Sequence, residues 1–244
     1  MAYCILGTMM PSAVTIGYAF LGGILPALIW LYFLLKEDDR CPEPRTLITV
    51  AFMAGMFAVP VVLPLETLAL SLLPDGAPVI ISWAAIEEIV KFGLAALFVL
   101  WRREVNESID LVIYMLTVAL GFAALENTLF LLEPFGQGQF LAGLATDNLR
   151  FVGSTLLHVI ASSVIGFTLA FTYRMPRVLR AAAAIGGLIL AIALHAVFNF
   201  FIINGDGSRT LMAFFIVWTG AIVFFALFEV LKYFRYSKAA KNVC

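Results

Sequence analysis

Seven runs of apolar residues, each about as long as a bilayer is thick, follow one another along the chain at about 12–35, 46–70, 78–101, 110–132, 151–173, 181–203 and 210–233. A hydrocarbon core of ~30 Å takes about 20 helical residues to cross. In lipid every backbone polar group has to be satisfied within the protein, so runs of this length fold as helices. The chain is 63% hydrophobic and 13% charged, against roughly a quarter charged in a soluble domain. The pattern predicts an all-α polytopic integral membrane bundle of about seven transmembrane helices, one membrane domain over 1–244 with no room for a soluble one. The second run is the least regular, because Pro60, Pro64 and Glu66 fall in its last third and are expected to kink or end it. Gly138 to Arg150 is too short to span and is expected to lie at the interface as a short helix of its own.

Charge narrows the partners and sets an orientation. A net charge of −1 leaves no basic footprint for nucleic acid, so the partners expected are the lipid bilayer and a membrane protein. Cys4, Cys41 and Cys244 show no metal or redox spacing and read as incidental thiols. No basic residue precedes the first apolar run, so that run is expected to stay as a helix and not to be removed as a signal peptide. Lys36, Arg40, Arg45, Arg102, Arg103, Arg174, Arg177, Arg180, Lys232, Arg235, Lys238 and Lys241 fall in one set of loops and Arg150 and Arg209 in the other. By the positive-inside rule the chain sits in the cell membrane with its N-terminus outside and its C-terminus in the cytoplasm.

Ionisable residues inside the spans carry the functional signal. At ~1.5 Å of rise per residue, Glu87, Glu126, His158 and His195, on four successive spans, all fall roughly 9 to 14 Å below the outer surface. Exposing such groups to lipid costs several kcal/mol, so their convergence at one depth predicts a polar cavity open toward the outer side. Glu87 and Lys91 are four apart and share a face, which lets Lys91 hold a neighbouring carboxylate charged. Glu88 points about 100° away from Glu87, so one glutamate can face the cavity while the other braces it. Phe122 with Glu126, and His195 with Asn199, each line one stripe of a helix. Thr155, Ser162 and Ser163 are expected to bond back to their own helix, and Glu66 to reach headgroups or water.

Carboxylates and imidazoles around a wet cavity are the groups of acid/base work on water: one carboxylate activates the water, and a second acid or an imidazole protonates the leaving amine. The same residue types bind Zn²⁺; no HExxH-like helix singles that out. Buried Glu and His also make the proton relays of transporters, and a receptor or scaffold could keep such groups for packing alone. The absence of internal repeats weighs against a transporter.

The motifs themselves carry a resemblance. "AAIEEIVKFG" (84–93), "GFAALEN" (121–127), "RFVGSTLLHVIASSVIGF" (150–167) and "LHAVFNF" (194–200) resemble the EExxK, FAxxEN, HxxxxxxxG and HxxxN signatures of the PrsW-type intramembrane proteases. These are related to the CAAX protease and bacteriocin-processing group of membrane endopeptidases, from whose pattern the chain departs at Lys91 and Glu126. The resemblance implies an endopeptidase with its catalytic core at about 78–203, cutting a single-span, anti-sigma-factor-like membrane protein at an extracytoplasmic site. It implies Glu87 as general base with Glu88 as its partner and Lys91 as charge neighbour, and Glu126 and His158 positioning water or a metal such as Zn, with Asn127 in support. His195 and Asn199 would then form the oxyanion site. Both a glutamate and a metal mechanism stay open at this point.

Overall fold

The computed structural model describes residues 12–36, 42–203 and 207–239, and of 140–152, 207–208 and 234–239 the backbone alone. Cys4, Cys41, Cys244, Arg40 and Lys241 lie outside the described residues. Among the described residues there is no strand: the order is α1 (Ala13–Lys36), α2 (Arg45–Leu72), α3 (Ala77–Ala95), α4 (Ser108–Gly136), α5 (Phe140–Phe171), α6 (Arg177–Ile203) and α7 (Gly207–Ala239). A π-helical turn, Ala96–Leu100, extends α3. Six of the seven helices are long and apolar enough to cross a membrane. The exception is α3, and the reason is the buried trio Glu87, Glu88 and Lys91.

Two expectations change. Helix α2 runs unbroken through Pro60 and Pro64 to Leu72; each proline removes one donor, a loss that neighbouring helices make tolerable in lipid. The segment 140–150 is not a separate surface helix but the first turns of α5. The reversal before it is made at Gly138, whose φ of 73° lies in the left-handed region that favours glycine. At the far end of α4, Glu107 and Asp110 form a reciprocal capping box, in which Asp110 Oδ2 accepts the backbone N–H groups of Asn106 and Glu107 at 2.9 and 2.8 Å. The Tyr114 hydroxyl bonds to Glu43, tying that end to the start of α2.

Helix α4 is the axis of the bundle. Of its membrane window 89% is buried, against 28% for α1 and for α7, which are largely left to lipid. An apolar helix buried all round belongs at the centre. Helices α1, α2 and α5 pack along α4, while α3 bridges α2 to α6 and α7 closes against α5 and α6. The α2–α4 crossing depends on small residues. A Cβ on Gly121 would run into the carbonyl oxygen of Phe52, and one on Gly55 into that of Val118. Close backbone approach through small residues is how membrane helices gain packing energy.

Adding a methyl at this crossing should cost about 1–3 kcal/mol as overpacking. Gly121→Ala is therefore expected to lower the thermal midpoint of the purified protein in detergent. Gly186→Ala, with nothing within 4 Å of the new carbon, should leave the midpoint unchanged or raise it; equal midpoints would contradict the crossing.

Candidate active site

Helix α3 turns a polar face inward, and Glu87, Glu88 and Lys91 are all buried. Glu88 is the most fully bonded of them. Its Oε1 accepts from Lys91 Nζ at 2.5 Å and from His195 Nδ1 at 2.9 Å, and its Oε2 from Ser162 Oγ at 2.9 Å. One carboxylate thus ties α3 to α5 and α6. Lys91 pairs with Glu87, four residues back, at 3.8 Å as expected, and with Glu88 still more closely.

The imidazole tautomers follow from these partners. An ammonium only donates, so His158 Nδ1 accepts from Lys91 Nζ at 3.1 Å, and the ring proton sits on Nε2, donated to Glu126 Oε2 at 2.8 Å. A carboxylate only accepts, so His195 Nδ1–H donates to Glu88 and leaves the Nε2 lone pair unprotonated. Phe122 floors the pair: its ring lies 4.9 Å from the His158 ring and 4.6 Å from Lys91 Nζ. The two imidazoles meet edge to face at 5.1 Å.

Glu87 is the exception in this bonded set. Its Oε2 is buried and has no hydrogen-bond partner, yet it lies 3.8 Å from both His158 Nδ1 and His195 Nε2. An unbonded buried oxygen costs stability, which makes it a candidate for binding something. Glu87, His158 and His195 are the group among the described residues whose ligand atoms lie close enough together to hold a metal ion. The donor set is one Zn²⁺ commonly takes, a carboxylate oxygen and two imidazoles. Glu87 Oε2 and His195 Nε2 are ready as they stand, whereas His158 Nδ1 would first have to be released by Lys91, whose closer partner is Glu88.

The remaining predicted residues sit beside this cluster. Glu126 is its most open member, with 22% of its side chain exposed, and it also accepts from Ser154 Oγ at 3.3 Å. Asn127 donates to Thr155 Oγ1 at 3.0 Å, joining α4 to α5 as interhelical glue. Asn199 is half-buried one turn beyond His195, and its side chain makes no hydrogen bond among the described residues. Ser163 bonds back to its own helix, at Ile160 O, as expected. Ser162 does not, and its role in holding Glu88 was missed. Its spacing of four from His158 was the available signal, since it puts both on one face of α5.

A helical membrane bundle that gathers carboxylates and imidazoles around one unbonded oxygen carries the groups that hydrolysis within a membrane calls for. Residues 43–231 match the model of the PrsW family of intramembrane metalloproteases, and the chain belongs to that family. It is similar to a protease PrsW of Clostridioides difficile strain 630, 26% identical over 188 residues, covering 74% of this chain and 77% of that protein. A protease PrsW of Geobacillus kaustophilus is 28% identical over 151 residues, 59% of this chain and 62% of that protein. One from Oceanobacillus iheyensis is 25% identical over 223 residues, 90% and 95% of the two chains. No solved structure matches. The protein is thus a multi-pass membrane peptidase.

Removing one donor from the braced carboxylate gives a direct check. Ser162→Ala leaves a buried charged oxygen unsatisfied and should cost about 1–3 kcal/mol, read as a lower unfolding midpoint in detergent. Ser163→Ala, whose hydroxyl serves only its own helix, should shift the midpoint by much less. Equal losses from the two would show that the Ser162–Glu88 bond contributes nothing.

Proposed function

We propose that this peptidase hydrolyses a peptide bond of a single-span membrane protein near the extracytoplasmic face, in the manner of anti-sigma-factor processing. Its N-terminus is then outside, its C-terminus cytoplasmic, and its catalytic core is 78–203. The asymmetry of basic loop residues supports the orientation. The observation that carries the chemistry is the buried, unbonded Oε2 of Glu87 between two imidazole nitrogens.

In this reading Glu87 accepts a proton from the attacking water as its oxygen bonds to the scissile carbonyl carbon. The same proton passes to the leaving amine as the C–N bond breaks. His195, its Nδ1–H anchored on Glu88, presents Nε2 to the water. Lys91 and Ser162 keep Glu88 fixed and charged, so that the imidazole neither tilts nor changes tautomer. Glu126 holds His158 through Nε2, and the free amide of Asn199 donates to the developing oxyanion. Glu87, His158 and His195 would hold a divalent ion such as Zn²⁺, which when bound supplies Lewis-acid polarisation and a more acidic water.

The test uses the full-length protein in proteoliposomes with a panel of single-span reporter proteins tagged on both sides of the span. Glu87→Gln should lower kcat on any reporter that wild type cleaves by about 10²–10⁴-fold, the usual worth of an acid/base group. Undiminished cleavage by that variant overturns the reading. Metal content decides the activation: about one zinc per chain, lost together with activity in His158→Ala or with chelator, marks the metal route. Metal-free, chelator-resistant cleavage marks the glutamate route. Reporter fragments cut on the cytoplasmic side would overturn the orientation.

A further inference from the structure

Away from the active site, α3 and α5 finish and α4 and α6 begin at one end of the bundle, and their two connections meet there. The Tyr173 hydroxyl, in the α5–α6 connection, donates to the Val105 carbonyl, in the α3–α4 connection, at 3.2 Å. Against this seam lies Arg180 of α6, whose guanidinium carbon stands 5.6 Å from the centre of the Trp101 ring and 5.6 Å from that of Tyr173. Arg180 is half-buried, and among the described residues it has no ion pair with a carboxylate. Its Nε is enclosed without a hydrogen-bond partner. The outer nitrogens are neither bonded nor enclosed, so they are the donors left open to a ligand. Aromatic faces attract a cation without neutralising it, and a half-buried charge lacking a counterion keeps a desolvation cost that a bound anion would offset.

The surroundings are basic and amphipathic. Arg102, Arg103, Arg174 and Arg177 are exposed on the same two connections and the start of α6, and Arg102 is anchored by its Nε on the Phe98 carbonyl at 3.0 Å. The acids of the α3–α4 connection are Glu104 and Glu107, and Glu107 is turned to the α4 N-terminus in its capping box. Leu97, one turn before Trp101, and Val178, in the first turn of α6, are largely exposed. We propose that this seam binds the phosphate of an anionic phospholipid. The planar fork of Arg180 takes the phosphate oxygens, a match that guanidinium makes bidentately. The exposed arginines balance the remaining charge, and the acyl chains lie along Leu97 and Val178. A cation seated on Trp and Tyr where helices leave the hydrocarbon is at headgroup depth, which favours a lipid over a free anion. The site is independent of the peptidase chemistry.

The experiment titrates the full-length protein in detergent with dioctanoyl phosphatidylglycerol, dioctanoyl phosphatidylcholine or inorganic phosphate, and reads the rise in unfolding midpoint. Phosphatidylglycerol should raise the midpoint saturably in wild type, and the other two should not. Arg180→Gln should weaken the apparent affinity by about 10-fold or more, the usual worth of charge-assisted hydrogen bonds. Lys36→Gln removes one charge from the same end of the bundle, at the last residue of α1, and should stay within about twofold, since exposed charges at a distance are screened. Equal weakening by the two variants reveals diffuse surface attraction and overturns the site. An equal rise with phosphatidylcholine overturns it as well, and a full rise with inorganic phosphate alone overturns the lipid assignment. If Arg180→Gln fails to fold, Arg180→Lys carries the test: it keeps the charge but not the fork, so weaker binding supports the site and wild-type binding overturns it.

Discussion

The rest of the structure depends on the neutralisation of Glu88. A carboxylate removed from water loses several kcal/mol of solvation even after relaxation, and at the centre of a membrane helix no water is at hand to restore it. Here it receives an ammonium, an imidazole N–H and a hydroxyl from three helices. Each donor can satisfy Glu88 only if its helix has the right rotation and depth. The requirement that keeps a charge in lipid therefore fixes α3, α5 and α6 relative to one another. Removing any one donor exposes the others to an uncompensated charge, so the cluster behaves as a unit.

That rigidity is what allows Glu87 to be different. Adjacent residues on a helix point about 100° apart, so one glutamate can be spent on structure while its neighbour stays unbonded. Two bonded glutamates would make a stable crossing without a reactive oxygen. Two unbonded ones would leave α3 with more buried charge than its packing can hold. The chain lies between these cases: His195 serves both, giving Nδ1–H to Glu88 and turning Nε2 toward Glu87.

Much of this was legible in the sequence, for reasons that can be named. The spans followed from apolar length, and the convergence of Glu87, Glu126, His158 and His195 from counting helical rise. Both are properties of single helices. At the site, what was missed is which helix faces which. Spacing of four rightly paired Lys91 with Glu87, but the closer bond to Glu88, shared with His195 from another helix, was not legible. Ser162 was read as bonded to its own helix, since the sequence does not say that α3 lies opposite. Helical phase gives the face of each residue, and only packing gives its neighbour.

The enclosure of the cluster constrains the form in which a substrate can reach it. Peptide carbonyls in a transmembrane helix are engaged in hydrogen bonds of their own and wrapped by side chains, so a helical segment offers Glu87 no accessible carbonyl carbon. The site must receive backbone that has already left the helix, and unpaired backbone is tolerated at membrane depth only against protein or water. Glu126 is the most exposed ionisable group of the cluster, and most of α4 behind it is packed. Substrate backbone would therefore arrive beside Glu126, where its freed N–H groups meet carboxylate oxygens. A single span near its end, where unwinding breaks few bonds, fits that demand better than the middle of a long helix does. In the proposed reaction, the polar edge of the cluster would then select where a substrate is cut as well as how.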